Sequence, residues 1–330
     1  MHSPEANHTE RDAVSVVIPC YNQAGFLPDA IHSAINQNGV AVRVIVVDDG
    51  STDHTAEVAA WDGWNGRVEL VRQENRGLPA ARNAGLACVQ TEFVIFLDAD
   101  DKLLPDAAIV GRRILADEPG AVAAAGLHKE FSESTGAEEP RPIDRSDGVV
   151  DHVTTSLDAY LHELRSCATN DVFVGLLQGN FIGMPGAVIY RTQGVREERG
   201  FDVTLGACED YDLYLRIARK GTLRLHDGVV GLYRKHPESM SRDPARMLKW
   251  SVRVLRRQSA QLDKEQREAL HHGVLFWSRY YGTRLRDKIL RNAGNPTMRL
   301  RAKVRDRWIL FRYADREWRN TEMKDPVRLE

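Results

Sequence analysis

The chain has 330 residues, with 45 Lys+Arg against 47 Asp+Glu and a formal charge of −2. That near-balance excludes a uniformly basic nucleic-acid binder and an acidic disordered tail protein. With 42% hydrophobic and 28% charged residues, the composition is that of a globular chain able to bury one large core or two modest ones.

Residues 1–12 (MHSPEANHTERD) are polar and lack the apolar stretch of a signal peptide, so they are expected to be a disordered N-terminus. No apolar run approaches the roughly 20 residues needed to span a bilayer. Cysteines at 20, 88, 167 and 208 form no CxxC pair, which argues against a cysteine–zinc cluster and for a reducing, cytoplasmic setting.

From Val14 a rhythm repeats: a short Val/Ile-rich run, a polar or Gly-containing loop, a helix-like stretch. The runs are Val14–Cys20, Val42–Val47, Val68–Arg72, Phe93–Leu97 and, more weakly, Ala121–Leu127. Apolar residues in succession suit strands covered on both faces of a parallel sheet. Helices are predicted over Leu27–Gln37, Thr52–Ala60, Pro79–Val89 and Pro105–Asp117, with Pro28, Pro79 and Pro105 at first turns and Ser51 or Thr52 capping the second. Alternation at this interval implies βαβ units and a mostly parallel, doubly wound α/β sheet. Ligands bind such sheets at the carboxyl ends of the strands, where the four loops here are polar. A polar stretch after His128 reads as a surface insertion, followed by a helix over Leu157–Ser166. Gly179–Arg191 is Gly-rich and then strand-like, Glu209–Lys220 is an amphipathic helix and Val229–Arg234 a short strand. From Pro244 onward the composition is helical.

Phe93–Asp101 (FVIFLDADD) ends a buried strand in Asp98, Asp100 and Asp101. Clustered carboxylates repel unless a cation or donors compensate, and Mg²⁺ or Mn²⁺ held by one or two of them fits this need. The alternative is that Asp98 merely ends the strand and Asp101 caps the helix near Pro105. Asp49, in VIVVDDGSTD, repeats the strand-end carboxylate and is a candidate acceptor for N–H groups of a base or a ribose; the other reading is a turn with a helix cap.

The segments VSVVIPCYNQAGFLPDAIHSAINQ, VIVVDDGSTD, ENRGLPAARNAGL and FLDADD, in this order and spacing, resemble the nucleotide-binding half of family-two inverting glycosyltransferases of the GT-A fold. GNFIGMPGAVIYR, FDVTLGACEDYDLYLRIARKG and YRKHPESMS resemble that family's acceptor-side half. The resemblance runs from about Val14 to Arg242. It implies a nucleotide-diphospho-sugar transferase fold over 13–243 (nucleotide-binding half 13–127, acceptor-side half 128–243), with 244–330 a basic helical extension. It implies a UDP-sugar donor, a glycan or lipid-linked glycan acceptor, no nucleic acid, and Mn²⁺ or Mg²⁺.

Residue by residue, Asp98-Ala99-Asp100 resembles the DxD motif, whose last Asp holds the metal. Pro19, Tyr21 and Asn22 resemble the first nucleotide-binding loop, and Asp49 the residue that reads the uracil edge. Asn75, Gly77, Arg82 and Asn83 match the NxGxxxARN block lining the nucleotide and diphosphate, although Arg82 also suits a surface pair with Glu74. Glu209-Asp210 matches the ED motif, with Asp210 as general base; for Glu209 the other reading is a negative charge at a helix N-terminus. His236 is a candidate metal ligand beside Asp100, or else a solvated loop side chain, and Arg234 or Lys235 suits the charge of departing UDP. Gly179, Asn180 and Gly183 are candidates for letting a glycan approach, and Trp61 or Trp64 for stacking on a sugar. The chain also fits a catalytically silent sugar-nucleotide-binding module, or a nucleotidyltransferase, but the latter leaves the ED block unexplained.

Residues 245–330 hold 22 Lys+Arg and 10 Asp+Glu, a net of +12, which leaves −14 for residues 1–244. Trp250, Val254, Leu255, Phe276, Trp277, Tyr280, Tyr281, Ile289, Leu290, Trp308, Ile309 and Phe311 are interleaved with Arg in that tail. Either these helices pack on the catalytic domain with a solvated Arg face, or they bring the enzyme to the inner face of the cell membrane through anionic lipid.

Overall fold

A computed structural model describes residues 13–132, 160–166, 168, 171–237, 239–291 and 300–314, with the side chains of 300–303 left aside. The expected disordered N-terminus, the surface insertion and the start of the helix expected from Leu157 lie outside the described residues. So does the chain beyond 314.

The described chain begins β1 (Val14–Cys20), α1 (Leu27–Ile35), β2 (Val42–Asp48), α2 (Thr55–Ala59), β3 (Val68–Arg72), α3 (Leu78–Cys88), β4 (Phe93–Phe96), β5 (Lys102–Leu103), α4 (Ala107–Asp117) and β6 (Ala123–Phe131). It continues with α5 (160–166), α6 (Val172–Gln178), β7 (Val188–Arg191), α7 (Thr192–Glu197), α8 (Glu209–Arg219) and β8 (Leu223–Arg234). Three helices end it: α9 (Pro244–Arg257), α10 (Lys264–Arg291) and α11 (Leu300–Tyr313). The strands form one sheet in the order β3-β2-β1-β4-β7-β6-β8-β5. The pairings β2–β3, β1–β2, β1–β4 and β6–β8 are parallel, and β7 runs antiparallel to both its neighbours.

Successive strand residues are apolar because both faces of the sheet are covered. In β1, Val16 and Ile18 join a cluster with Leu27 and Ile31 of α1 and Leu115 of α4. Val17 joins a second cluster on the other face, with Ala81 and Leu86 of α3 and Leu213 and Ile217 of α8. Leu248, Val252, Leu255, Trp277, Leu285 and Ile309 of α9 to α11 belong to this same cluster. The change in charge after residue 243 is therefore not a change of core. Most of the tail aromatics pack inward, as the first of the two sequence readings has it.

Helix α2 starts three residues later than the sequence suggests, and neither Ser51 nor Thr52 caps it. Asp53 accepts the Thr55 N–H at 3.0 Å, while Ser51 and Thr52 turn back to the first loop. Asp101 does not cap α4 either: Gln37 Oε1 accepts the Ala108 N–H at 2.9 Å.

Candidate active site

The parallel strands β1 to β4 point their carboxyl ends the same way, so the loops that follow them share one edge of the sheet. The first two loops are stitched together. Ser51 Oγ accepts the Asn22 N–H at 2.9 Å, Asn22 Oδ1 accepts the Thr52 N–H at 2.8 Å, and Asp53 Oδ2 accepts the Ala24 N–H at 3.0 Å. Asn22 has φ of 55°, a left-handed conformation that Asn tolerates better than most residues. Tyr21 and Asn22 are exposed, whereas Pro19 is buried inside β1 and offers no surface to a ligand.

Asp49 is buried and already engaged. Its Oδ1 accepts from Gln73 Nε2 at 2.7 Å and from the Arg76 N–H at 2.9 Å, and its Oδ2 accepts the Gly77 N–H at 2.8 Å. The carboxylate thus shapes the third loop, with one of its roughly four lone-pair sites left over. Gly50, at φ of 80°, lets this loop close down: a Cβ there would lie 2.8 Å from the Asn75 nitrogen. Asn75 is exposed at the tip, and Gly77 begins α3.

The centre of the site is Arg82, only 1% exposed. Its Nη2 donates to Asp98 Oδ1 at 2.5 Å and its Nη1 to Glu209 Oε1 at 2.6 Å, joining positions 16 and 127 residues away. The expected diphosphate contact and the alternative surface pair with Glu74 both give way to this buried bridge. A guanidinium can hold two carboxylates at once because its planar fork directs N–H groups both ways. These acidic neighbours hold Arg82 above the usual range, against the opposing effect of burial. Asn83 likewise departs from the expected nucleotide lining: its Nδ2 donates to Phe201 O at 2.7 Å and its Oδ1 accepts the Phe201 N–H at 2.8 Å, fixing the chain that leads into α8.

Glu209 and Asp210 open α8 directly after Cys208, which has φ of 61°. Such strain outside glycine is characteristic of functional sites. Glu209 is buried against Arg82, a more specific role than helix-end charge. Burial, and then the neighbouring Glu209 charge, push the Asp210 carboxyl up to about 7, while Arg82 pulls it down.

On the other side of Asp98 lies a second pair. His236 Nε2 and Asp100 Oδ2 are 2.8 Å apart, so His236 is not a solvated loop side chain. Burial and the Asp98 charge raise Asp100, and His236 opposes them. Ala99 between the two aspartates is fully buried. Asp101 is buried as well: Oδ1 accepts the Arg234 N–H at 2.9 Å, and Oδ2 has no hydrogen-bond partner.

Arg234 corrects the expectation that it faces departing UDP. It is buried, donating from Nε to the Asp100 carbonyl at 2.7 Å and from Nη2 to Asp29 Oδ2 at 2.8 Å, with its guanidinium 5.0 Å from the Phe26 ring centre. It clamps the DxD turn to α1 two residues before His236. Asp29, which also binds Lys102 at 2.9 Å, went unnoticed in the sequence because its partner Arg234 is 205 positions away. Lys235 pairs with Glu130 at 2.7 Å. Trp64 is buried, donating to the Val58 carbonyl at 2.8 Å, with the exposed Trp61 edge-on to it. Gly179 is buried and Gly183 exposed, a Cβ at either would crowd Leu164 or His128, and Asn180 Oδ1 accepts the Ile182 N–H at 3.3 Å.

Asp100 and His236 fit a divalent cation: one hard oxygen and one imidazole nitrogen side by side, next to the Asp98 carboxylate, whose charge raises Asp100. Among the described residues no three such side chains converge as a ready-made metal cage. Two protein ligands suit a cation that takes its other ligands from water and phosphate.

Residues 15–163 match the family model "Glycosyl transferase family 2". The chain carries a family 2 glycosyltransferase domain of the GT-A fold. Among curated relatives, this chain is 35% identical over 127 residues to glycosyltransferase GlyA of Streptococcus pneumoniae, covering 38% of this chain and 18% of GlyA. It is 39% identical over 105 residues to chondroitin synthase of Pasteurella multocida, covering 31% of this chain and 11% of that protein. The match thus spans far less than two thirds of these relatives' own length. Among solved structures, the mannosyltransferase PcManGT from Pyrobaculum calidifontis, in complex with GDP-Man and Mn²⁺, superposes with a TM-score of 0.60 at 18% identity, over 95% of this chain and 84% of that one. S. aureus TarS 1-349 with UDP-GlcNAc gives a TM-score of 0.55 at 18% identity, over 90% and 79%. Both likenesses establish the fold, including its helical C-terminal part.

Proposed function

We propose that this glycosyltransferase moves a hexose or N-acetylhexosamine from a UDP-sugar to a hydroxyl of a glycan or lipid-linked glycan, with inversion at the anomeric carbon. The observation that carries the reading is the Arg82 bridge, which brings the DxD turn and the ED helix start into one cluster. Asp210, next to Glu209, is then within electrostatic reach of the first Asp of the DxD motif, whose charge raises it. In the reaction, the acceptor oxygen attacks the anomeric carbon while the bond to the diphosphate oxygen breaks. The hydroxyl proton passes to Asp210, and no covalent enzyme intermediate forms. Tyr21, Asn22 and the Asn75 loop offer the exposed polar edge for the nucleotide, and Asp49 keeps one acceptor site for it. Asp100 and His236 would hold Mn²⁺ or Mg²⁺, which when bound neutralises charge on the diphosphate. The GDP-Man and UDP-GlcNAc complexes of the two solved relatives support a nucleotide-diphosphate donor, and residues 245–330 are read as meeting an anionic membrane from its inner face.

A thermal-shift and turnover screen of UDP-, GDP- and dTDP-sugars with Mn²⁺ tests the donor. UDP-sugars are expected to stabilise the protein most; stabilisation by GDP-sugars alone would overturn the assignment. In calorimetry, UDP affinity is expected to rise with Mn²⁺ in the wild type and to lose about tenfold or more of that gain in Asp100→Ala, since even outer-shell changes cost this much at metal sites. Indifference to both would remove the metal.

The pH dependence has a definite sign. A base must be ionised, and Asp210 is held at about 7. Hence kcat/KM, which reports the free enzyme, is expected to rise with pH through about 7 and level off above it. A profile flat from pH 5 to 8 would remove Asp210 from the role.

A further inference from the structure

Helix α11 is anchored along one side and exposed along the other. Asp306 is fully buried and pairs with Lys288 of α10 at 3.1 Å and with Arg305 at 2.7 Å. Ile309 sits in the core, and Ser278 Oγ donates to the Tyr313 carbonyl at 3.1 Å. At about 100° per residue, Val304, Trp308 and Phe311 fall within one narrow arc on the opposite side. They are 58%, 54% and 71% exposed, and Leu290 in the last turn of α10 is 64% exposed. Among the described residues of the tail, the exposed large apolar side chains are thus gathered on α11 and the end of α10. Arg305 and Arg312 flank the arc on one side and Arg307 on the other, all exposed. They belong to a stretch, residues 245–330, whose net charge is +12, following one of −14.

We infer that this face is a membrane-docking surface: α11 lies in the plane of an anionic bilayer, with Val304, Trp308, Phe311 and Leu290 entering the interface and Arg307 and Arg312, one on each side of the arc, meeting lipid phosphates. An apolar arc edged by arginines on both sides is the pattern of an interfacial helix, whose long cationic stems reach headgroups while the apolar side sinks. Attraction of basic residues to an anionic leaflet adds to this. Among the described residues no helix is long and apolar enough to cross a membrane, so the contact is with the surface. A second copy of the chain is the poorer occupant, because a two-fold self-contact would set the flanking arginines against their own copies. The inference rests on the reading that residues 245–330 meet an anionic membrane and names the surface that does so.

The test is co-sedimentation of the full chain with phosphatidylcholine vesicles, with and without phosphatidylglycerol, for the wild type and for the double variant Trp308→Ser/Phe311→Ser. The wild type is expected to bind only the anionic vesicles, less so at high salt, and the variant, melting with the wild type, to bind about tenfold or more weakly. If the variant binds as tightly as the wild type, the α11 face is the wrong surface although the membrane reading stands. If the wild type ignores anionic vesicles, the membrane reading itself fails. A dimer in sedimentation equilibrium that the variant dissolves would assign the face to a second copy and overturn the inference.

Discussion

Asp210→Asn lowers kcat by about 10²- to 10⁴-fold, the usual contribution of a positioned base, while donor affinity stays within a few-fold of wild type. The fold is not the casualty. Because the fold holds the Asp210 carboxyl above its ordinary value, the protonated form is the one it favours, and the ionised form is tolerated at a cost. Stability tied to this group is present below the ordinary carboxylate range and is lost as pH rises through about 7. A neutral amide at 210 is therefore expected to raise the melting temperature, by more at pH 8 than at pH 5. Stopped-time transfer assays beside melts at the two pH values separate the effects; near-normal turnover in a folded Asp210→Asn protein would sink the base assignment.

Arg82→Met is expected to damage both stability and turnover. It leaves Glu209 buried without its cation and strips Asp98 of its partner. Breaking a buried ion pair from one side typically costs about 3–5 kcal/mol. Asp98 is 25% exposed and relieves part of its share by solvation, so we expect the lower end, about 3 kcal/mol. Arg82 also lowers Asp210, so its loss shifts the kcat/KM profile to higher pH. Arg82→Lys does not restore either property, since one ammonium cannot fork to two carboxylates. Adding Glu209→Gln to Arg82→Met recovers stability without recovering rate. An Arg82→Met protein that melts and turns over like wild type would show that the bridge is incidental.

The strands and the loop edge were legible because their signals are local. Val14–Cys20 and Val68–Arg72 carry their own apolar runs, and FLDADD and ED mark the ends of such elements. The site's wiring was not legible. Arg82 reads as a diphosphate ligand or a surface partner of Glu74 until α8 delivers Glu209 from 127 positions away, and nothing marks Asp29 until β8 delivers Arg234. Asn83, inside a matching block, serves the backbone of Phe201 instead of a ligand. The start of α2 is read three residues too early for a similar reason: Ser51 and Thr52 have good capping chemistry, but the neighbouring loop competes for it and wins. Burial also divides the tail in a way that composition could not. Trp277 and Ile309 face the core, while Trp308, one position before Ile309, faces out.

The Arg234 clamp bears on how the site meets its donor. One guanidinium ties α1, the Asp100 carbonyl and the strand leading to His236. The two side chains suited to a cation are therefore aligned during folding, before any nucleotide arrives. Ordering them costs no conformational entropy at the moment of binding, so that freedom is not subtracted from donor affinity.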